Sequence, residues 1–335
     1  MIFIMVKRTI VVIVLFILTL LSSSFFTGCQ ESSQTTQQVR TVPHDTAWGI
    51  YRLDIDTQDI SLVYSFPADS VPSGLQLSNS GDKFVFAQKL KSQGDEKTEI
   101  YSVGTDGKNL IKITDNDYWD LYPVWSSDSA RIAFLSWRDK DLDIYVMDAD
   151  GKNMEKLYDS GDHDADINWV GNSIVFTSQS AVWIMQDDGT QPVQVTDYPD
   201  KGRWGNANLP AGDYDPRLSP DGSKIVFERL ENTDDPHGGY NIFTIDPDGT
   251  GETRLTSSGY SQGLANWSHS GEELTYIVAA IDGQGKYHIY IMNSDGTNNR
   301  NITPDYFPAG FLCHHPNFSK DDSAIFFLGQ WWEDN

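Results

Sequence analysis

Two short sequence patterns alternate along most of this chain, and they restrict its fold more than any other feature. The first pattern is an alternation of apolar residues that runs into an acidic turn, and it occurs six times. Asp-Gly ends five of the copies, and glycine supplies the left-handed backbone that a tight hairpin turn needs. Each copy predicts a β-strand followed by a turn. The copies begin at Ile50, Ile100, Ile144, Val182, Ile242 and Ile289.

The second pattern is a pair of short strands joined by a polar turn, and it also occurs six times. Six copies of two hairpins predict six four-stranded antiparallel sheets, which bury both faces only when they stack around an axis. The predicted fold class is therefore all-β, a six-bladed β-propeller. The chain opens and closes with half a blade, and we expect the N-terminal and C-terminal hairpins to pair and close the ring. The copies begin at Leu75, Pro123, Ile167, Pro216, Ala265 and Pro316.

The repeats resemble a known family. Residues 219–222 (Ser-Pro-Asp-Gly) with 225–227 (Ile-Val-Phe), and residues 144–151 with Leu157, are similar to the TolB-type WD-like propeller repeat. The resemblance covers nearly all of residues 48–335. It implies protein–protein interaction at the cell envelope. TolB itself has an additional N-terminal α/β domain, for which the segment from Gln30 to Asp45 is too short.

The N-terminus carries an export signal. Lys7 and Arg8 precede an apolar run that ends at Leu21 and is followed by serines, which is the order of a secretory signal. Residues 26–29 (Phe-Thr-Gly-Cys) resemble the lipobox of bacterial lipoproteins. We therefore predict a lipoprotein signal peptide at 1–28, lipid on Cys29, a flexible tether at 29–47 and a propeller at 48–335. The protein would be exported and anchored to the cell membrane or the outer membrane.

Charge and cysteine content restrict the partners. The chain has 24 Lys and Arg against 48 Asp and Glu, a net charge of −24, which opposes binding to nucleic acid. Its two cysteines are Cys29 and Cys313, so lipid on Cys29 would leave no intrachain disulfide. We expect a monomer that meets the membrane through its lipid.

Length variation falls on the propeller face opposite the short turns, with the largest insertion at residues 197–215. Binding sites are usually found on such variable loops. Aromatic rings there can stack on sugars or anchor a peptide, although they can also fill gaps between blades. The candidate ligand-binding residues are Trp119, Tyr122, Trp137, Trp204, Tyr260, Trp331 and Trp332.

The residues just before each innermost strand are expected to surround the channel mouth. Carboxylates and imidazoles are common metal ligands, so a divalent metal is one interpretation of this mouth and simple solvation is the other. The candidate metal ligands are Asp166, Asp215, His314 and His315. The six mouth positions are Gly74, Tyr122, Asp166, Asp215, Leu264 and His315.

Residues 313–319 also resemble the histidine-rich approach to a strand in oligogalacturonate lyases, propeller enzymes that hold manganese through histidines. This chain departs from that pattern because its histidines are adjacent and its predicted blades number six instead of seven. The resemblance implies an alternative function, a metal-dependent polysaccharide lyase.

Two further motifs have simpler explanations. Residues 259–263 match G-x-S-x-G, but this serine-hydrolase motif needs a strand-to-helix turn that the repeats do not predict here. Residues 148–153 begin like a calcium loop, yet a hairpin turn explains them fully. We therefore expect a non-catalytic binding or scaffold module, without a cofactor, for a protein or glycan at the envelope.

Overall fold

The computed structural model describes residues 40–93, 97–202, 210–231, 239–257, 259–279 and 287–331. The chain divides into two units, 1–39 and 40–335. The predicted signal peptide and Cys29 lie outside the described residues. Within the described ranges, no helix is long and apolar enough to cross a membrane.

The folded unit begins earlier than the predicted boundary at residue 48. Val42 is buried in a hydrophobic cluster, and the ring of His44 stacks on Trp331 with 3.9 Å between the ring centroids. The carbonyl of Ala47 accepts a hydrogen bond from the amide of Trp331 at 2.7 Å. Residues 40–47 were expected to belong to the tether, but these contacts pack them against the last strand.

The regular secondary structure of the described chain is β-strand, apart from a 3-10 turn at Lys91–Gln93. In chain order the strands are β1 (Trp48–Asp54), β2 (Ile60–Ser65), β3 (Ser70–Leu77), β4 (Lys83–Leu90), β5 (Thr98–Gly104), β6 (Ile111–Lys112), β7 (Trp119–Trp125), β8 (Arg131–Trp137), β9 (Asp143–Asp148), β10 (Glu155–Tyr158), β11 (Asp164–Val170), β12 (Ser173–Ser178), β13 (Ala181–Gln186), β14 (Val193–Gln194), β15 (Gly212–Leu218), β16 (Ile225–Leu230), β17 (Tyr240–Ile245), β18 (Thr253–Arg254), β19 (Gln262–Trp267), β20 (Glu273–Ala279), β21 (Tyr287–Asn293), β22 (Arg300–Asn301), β23 (Phe311–Phe318) and β24 (Ala324–Trp331).

Consecutive strands pair into four-stranded antiparallel sets, which confirms the predicted sheets. The sets are β3–β6, β7–β10, β11–β14, β15–β18 and β19–β22. A parallel bridge between Thr98 and Trp119 joins β5 to β7, so the first two sets form one eight-stranded sheet. The remaining set has the order β2–β1–β24–β23, in which β1 pairs with β24 over seven residues. The first and last hairpins of the described chain thus share one sheet, as expected.

The first strand of each set lies next to the first strand of the following set. β3 contacts β7, β7 contacts β11, β11 contacts β15, β15 contacts β19, β19 contacts β23, and β23 contacts β3. These contacts follow a closed cycle, so the first strands surround a common axis. These six strands, β3, β7, β11, β15, β19 and β23, are the innermost strands, and the arrangement brings their side chains together near the axis.

The hydrophobic core lies in layers between neighbouring sheets. In one layer Val175 and Val182 pack against Leu218, Ile225 and Phe227 of the following sheet. Burying one such side chain contributes roughly 1.5–3 kcal/mol. A four-stranded sheet has apolar residues on both faces, so each sheet needs a neighbour on either side.

The Asp-Gly turns need glycine for two reasons. Gly107 and Gly189 have φ angles of +75° and +79°, a region that costs other residues energy. A Cβ on Gly107 would also lie 2.0 Å from the carbonyl oxygen of Val63 in the preceding set, and one on Gly189 would lie 2.3 Å from that of Leu157. The repeated glycine therefore permits close packing between sheets as well as the turn.

Candidate functional site

The six predicted mouth positions occupy equivalent places, but these places lie inside the innermost strands and not just before them. In each of these strands the register shifts at the mouth residue, which marks a β-bulge. All six residues have left-handed φ angles, between 46° and 63°. Five of them are not glycine, and such strain is often found at functional sites. The six residues are Gly74, Tyr122, Asp166, Asp215, Leu264 and His315.

Two of the bulges bring Asp166 and Asp215 together. The Oδ2 of Asp166 accepts a hydrogen bond from the amide of Asp215 at 3.3 Å, and Asp215 forms an ion pair of 2.6 Å with Arg217. Burial raises the pKa of both carboxyl groups, and the charge of Asp215 raises that of Asp166 further. Arg217 opposes both increases by favouring the ionised acids.

Glu228 is a third acid in this cluster and was not identified from the sequence. Its Oε2 accepts a hydrogen bond from the amide of Leu264 at 2.9 Å. Burial raises the pKa of Glu228, and the charges of Asp215 and Asp166 raise it further. The corresponding position of β12 holds Thr177, and that of β8 holds Leu135. The sequence did contain a signal for Glu228, because it is a charged residue at a position where the equivalent strands have a small or apolar one.

In three of the innermost strands an asparagine stands two residues after the bulge residue, and its side chain connects neighbouring sheets. The Oδ1 of Asn168 accepts from the amide of Leu218 at 2.9 Å. Asn317 Nδ2 donates to the carbonyl of Leu75 at 3.1 Å, and Asn266 Nδ2 donates to Asn317 Oδ1 at 3.1 Å. These bonds satisfy polar groups near the axis, so these amides have a structural role.

The structure places the two predicted histidine ligands in different surroundings. The ring of His314 contacts Trp48 and Tyr287, with centroid separations of 5.5 Å and 5.3 Å, and its Nε2 lies 3.3 Å from Gln330 Oε1. Burial lowers the pKa of His314 to about 4 and that of His315 to about 3. Both imidazoles are therefore neutral at neutral pH.

His315 lines a small cavity of about 10 Å³ together with Asp215, Arg217 and Asn317. A space of that size is near the limit for a single water molecule. Among the described residues, no three histidine, cysteine, aspartate or glutamate side chains form a group that could hold a metal ion. A metal bound by Asp166, Asp215, His314 and His315 stays a prediction, and so does the lyase function that depends on it.

A larger cavity of about 650 Å³ lies where the innermost strands enter their hairpin turns. Trp125, Trp169 and Trp267 line it together with asparagine and serine side chains. All three indoles are at least 92% buried. Lys83 lies 4.7 Å from the ring centroid of Trp125, and Arg131 lies 4.7 Å from that of Trp169. These three tryptophans belong to the hydrophobic clusters of the sheets.

An aromatic cleft lies at the opposite end of β7 and β8. Asp117, Tyr118, Trp119 and Trp137 line this cleft, which has a volume of about 270 Å³. The two indoles meet edge to face with 5.5 Å between centroids. Tyr118 is 42% exposed and Trp137 is 36% exposed. The structure thus brings together two of the predicted ligand-binding tryptophans.

The neighbours of the aromatic cleft hold its walls in place. The ring of His163 lies 5.0 Å from that of Trp137. The guanidinium of Arg138 lies 4.9 Å from the ring centroid of Tyr118 and forms an ion pair of 3.3 Å with the buried Asp120. Tyr118 was not identified from the sequence, because only the fold brings it beside Trp137.

The other predicted ligand-binding residues are dispersed. Tyr122 lies on the bulge of β7, where 37% of the residue is exposed but its hydroxyl end is buried; that burial and the charges of Asp166 and Asp215 raise the pKa of the hydroxyl to about 12. Tyr260 packs beside a core cluster. Trp331 donates through Nε1 to the hydroxyl of Tyr51 at 3.2 Å in the sheet that joins the first and last described hairpins. Trp204 and Trp332 lie outside the described residues.

The two other motifs fold as the repeats predict. Ser261 of the G-x-S-x-G segment directly precedes β19 and leads into a strand. Asp148 and Gly151 form a turn between β9 and β10, in which the Gly151 amide donates to the Asp148 carbonyl at 2.8 Å. Neither segment has the surroundings that its catalytic or calcium-binding interpretation requires.

Four-stranded sheets stacked around an axis, with loops at both ends, define the class of the β-propeller. The chain is similar to a TolB homologue of Chlorobium luteolum, with 29% identity over 249 residues that cover 61% of this chain. The chain spans about half of that relative, 54% of its length. No family model matches the chain.

Solved structures show the same fold. A structure assigned as TolB from Agrobacterium tumefaciens aligns with a TM-score of 0.63 and 16% identity, covering 86% of this chain and 99% of that one. TolB from Acinetobacter baumannii aligns with a TM-score of 0.55 and 18% identity, covering 77% and 66%. An oligogalacturonate lyase in complex with manganese aligns with a TM-score of 0.50 and 13% identity, covering 88% of this chain and 99% of that one. The TolB-type β-propeller fold predicted from the repeats is therefore confirmed.

Proposed function

We propose that this chain is a six-bladed β-propeller of the cell envelope that binds a protein partner without catalysing a reaction. The closed cycle of contacts among the six innermost strands supports the blade number. The likeness to TolB proteins supports a location in the cell envelope.

The aromatic cleft is the proposed docking site, and its exposed rings are the observation that carries the proposal. Tyr118 and Trp137 are held by Arg138 and His163, so little side-chain freedom would be lost on binding. Aromatic anchors of this kind dominate many protein interfaces. The acid cluster at the axis is buried and partly used for internal hydrogen bonds, so it is a weaker candidate.

Anchoring through lipid on Cys29 is a second part of the proposal. The sequence at 26–29 supports it. Fractionation of cells that express the chain would test it. We expect the protein in the membrane fraction and the Cys29→Ser variant outside it; equal distribution of both forms would contradict lipid anchoring.

Site-specific photo-crosslinking in cells tests the docking site. A photoreactive amino acid at position 118 should form an adduct with one protein, and Trp137→Ala should remove that adduct. Val193 is also exposed and lies on β14 in another sheet, so the same probe at position 193 is the matched control. An adduct that forms equally at both positions, or one formed with a glycan, would overturn the proposal.

A further inference from the structure

The loops that surround the aromatic cleft are strongly acidic. Residues 115–120, 138–143 and 159–164 each contain three aspartates. The basic residues paired with them or placed among them are fewer: Lys97, Lys112, Arg138, Lys140 and Lys156. Burial raises the pKa of Asp164 to about 7, but the eight other aspartates still outnumber the five basic residues. The surroundings of the cleft therefore have an excess of negative charge.

The ion pairs in these loops leave this excess in place. Lys156 Nζ is shared by three carboxylates, those of Asp139, Asp143 and Asp159, at 2.7 Å, 2.8 Å and 3.0 Å. One ammonium group cannot neutralise three acids. Asp117, which lines the cleft, pairs with Lys97 at the surface, where their side chains are 80% and 46% exposed, and such pairs are weak.

The aromatic walls of the cleft favour a cation for a separate reason. Ring faces carry partial negative charge and attract ammonium or guanidinium groups within about 6 Å of the centroid. The chain already uses this interaction at the cleft, where Arg138 lies over Tyr118. Trp119 and Trp137 provide two further rings beside the same space.

The size of the cleft restricts what can enter it. Its volume of about 270 Å³ is below the roughly 300–1,000 Å³ of pockets that enclose a whole drug-sized ligand. It suits one long side chain. A glycan could stack on the indoles, but an uncharged sugar would gain little from the surrounding carboxylates.

We infer that the aromatic cleft binds a lysine or arginine side chain presented by the protein partner. The inference rests on the proposed function, since it specifies which group of the partner enters the docking site. The rings bind the cation, Asp117 contributes attraction at the rim, and the acidic loops attract basic partners over a longer range. Salt should therefore weaken binding.

Saturation-transfer NMR with the full chain in detergent provides the test. The probes are blocked tripeptides, glycine on both sides of lysine, arginine or acetyl-lysine, and cellohexaose as an uncharged sugar. We expect the lysine and arginine peptides to bind about tenfold more tightly than the acetyl-lysine peptide, as the strength of a cation–π contact implies. Equal affinity for acetyl-lysine, or tighter binding of cellohexaose, would overturn the inference.

Variants separate the cleft from general acidity. Trp137→Leu should weaken lysine binding about tenfold, while Trp137→Phe, which keeps an aromatic face, should retain most of it. Asp117→Asn should weaken binding severalfold, and Asp106→Asn is its control because Asp106 is an exposed acid at a hairpin turn away from the cleft. Equal effects of the two Asn variants would contradict a site at the cleft.

The test also distinguishes the inference from the function on which it rests. If the partner crosslinked at position 118 still binds after its basic residues near the crosslink are changed to glutamine, the cation inference fails and the docking site stands. If no adduct forms at position 118 in cells, the proposed docking function fails, whatever the peptides show.

Discussion

The amide of Asp215 donates a hydrogen bond to the carboxylate of Asp166 at 3.3 Å, which connects the bulges of two neighbouring innermost strands. Both residues have left-handed φ angles near 50°. The bond places two buried acids side by side, with Glu228 nearby, and the positive charge of Arg217 compensates for their repulsion. The stability of this buried acid cluster therefore depends on Arg217.

Replacement of that arginine should make stability depend on pH. Arg217→Gln removes the charge that lowers the pKa of Asp166, Asp215 and Glu228. We expect a loss of about 3–5 kcal/mol in the free energy of unfolding at pH 8, where buried acids would lack their partner. At pH 5 the loss should be smaller, because the acids can bind protons. Urea unfolding at both pH values measures this difference.

The matched control for Arg217→Gln is Arg300→Gln. Arg300 forms an ion pair of 3.0 Å with Glu273, but it is 43% exposed. Such surface pairs contribute about 0–1 kcal/mol. A loss at Arg217 that is no larger than the control, or that is the same at pH 5 and pH 8, would show that the acid cluster does not need Arg217.

Asp164 provides a second pH test, with a defined sign. It is fully buried, and burial raises its pKa to about 7, whereas an unfolded aspartate has a pKa of about 3.9. Between these values the folded chain binds more protons than the unfolded chain. The contribution of Asp164 to stability should therefore fall by about 3 kcal/mol as pH rises from 4 to 7.

Asp164→Asn should remove this dependence. Relative to the unchanged chain, the variant should gain stability between pH 4 and pH 7, as measured by thermal unfolding across that range. Asp188→Asn is the control, because hydrogen bonds from Thr190 lower the pKa of Asp188 in an exposed turn. Both the folded and the unfolded forms of that carboxyl are mostly ionised above about pH 4, so this variant should leave the profile between pH 4 and pH 7 nearly unchanged. An unchanged pH profile in Asp164→Asn would contradict a raised pKa at Asp164.

The hairpins could be predicted from the sequence because each depends on local information, a period-two strand and a turn residue. The six residues predicted to lie just before the innermost strands instead lie on bulges inside those strands. A single residue such as Asp215 with left-handed backbone looks like a turn in sequence, and only pairing on both sides shows that the strand continues through it. The sequence therefore identified Asp215 as a residue beside the strand, but it did not show that strand pairing resumes on its other side.

The contacts that depend on distant residues were not predictable. Glu228 becomes noticeable only when equivalent strands are compared, and its hydrogen bond to Leu264 comes from the next sheet. Tyr118 enters the aromatic cleft because β7 and β8 end together. Val42, one apolar residue in a polar segment, gives no periodic signal, yet it is buried in the core.

The turn glycines predict a difference between two substitutions with similar backbone angles. Gly107 and Gly222 have φ angles of +75° and +71°, but a Cβ on Gly107 would meet the Val63 carbonyl at 2.0 Å, while one on Gly222 meets nothing within 4 Å. Gly222→Ala should cost about 1–2 kcal/mol from backbone conformation alone. Gly107→Ala should cost at least about 2 kcal/mol more, since the neighbouring sheet must shift. Equal losses in urea unfolding would show that sheet packing at this turn is loose.

The thiol of Cys313 should report opening of the sheet that joins the first and last hairpins of the described chain. The side chain is fully buried, and burial raises its pKa well above the ordinary range, so little thiolate exists to react. In a Cys29→Ser background we expect iodoacetamide to label Cys313 at least about a hundredfold more slowly in the native chain than in urea. Lys108→Cys in the same background adds a thiol at an exposed turn. Mass spectrometry should then find one label in the native protein and two in the unfolded protein, whereas two labels under native conditions would mean that β23 and β24 separate readily.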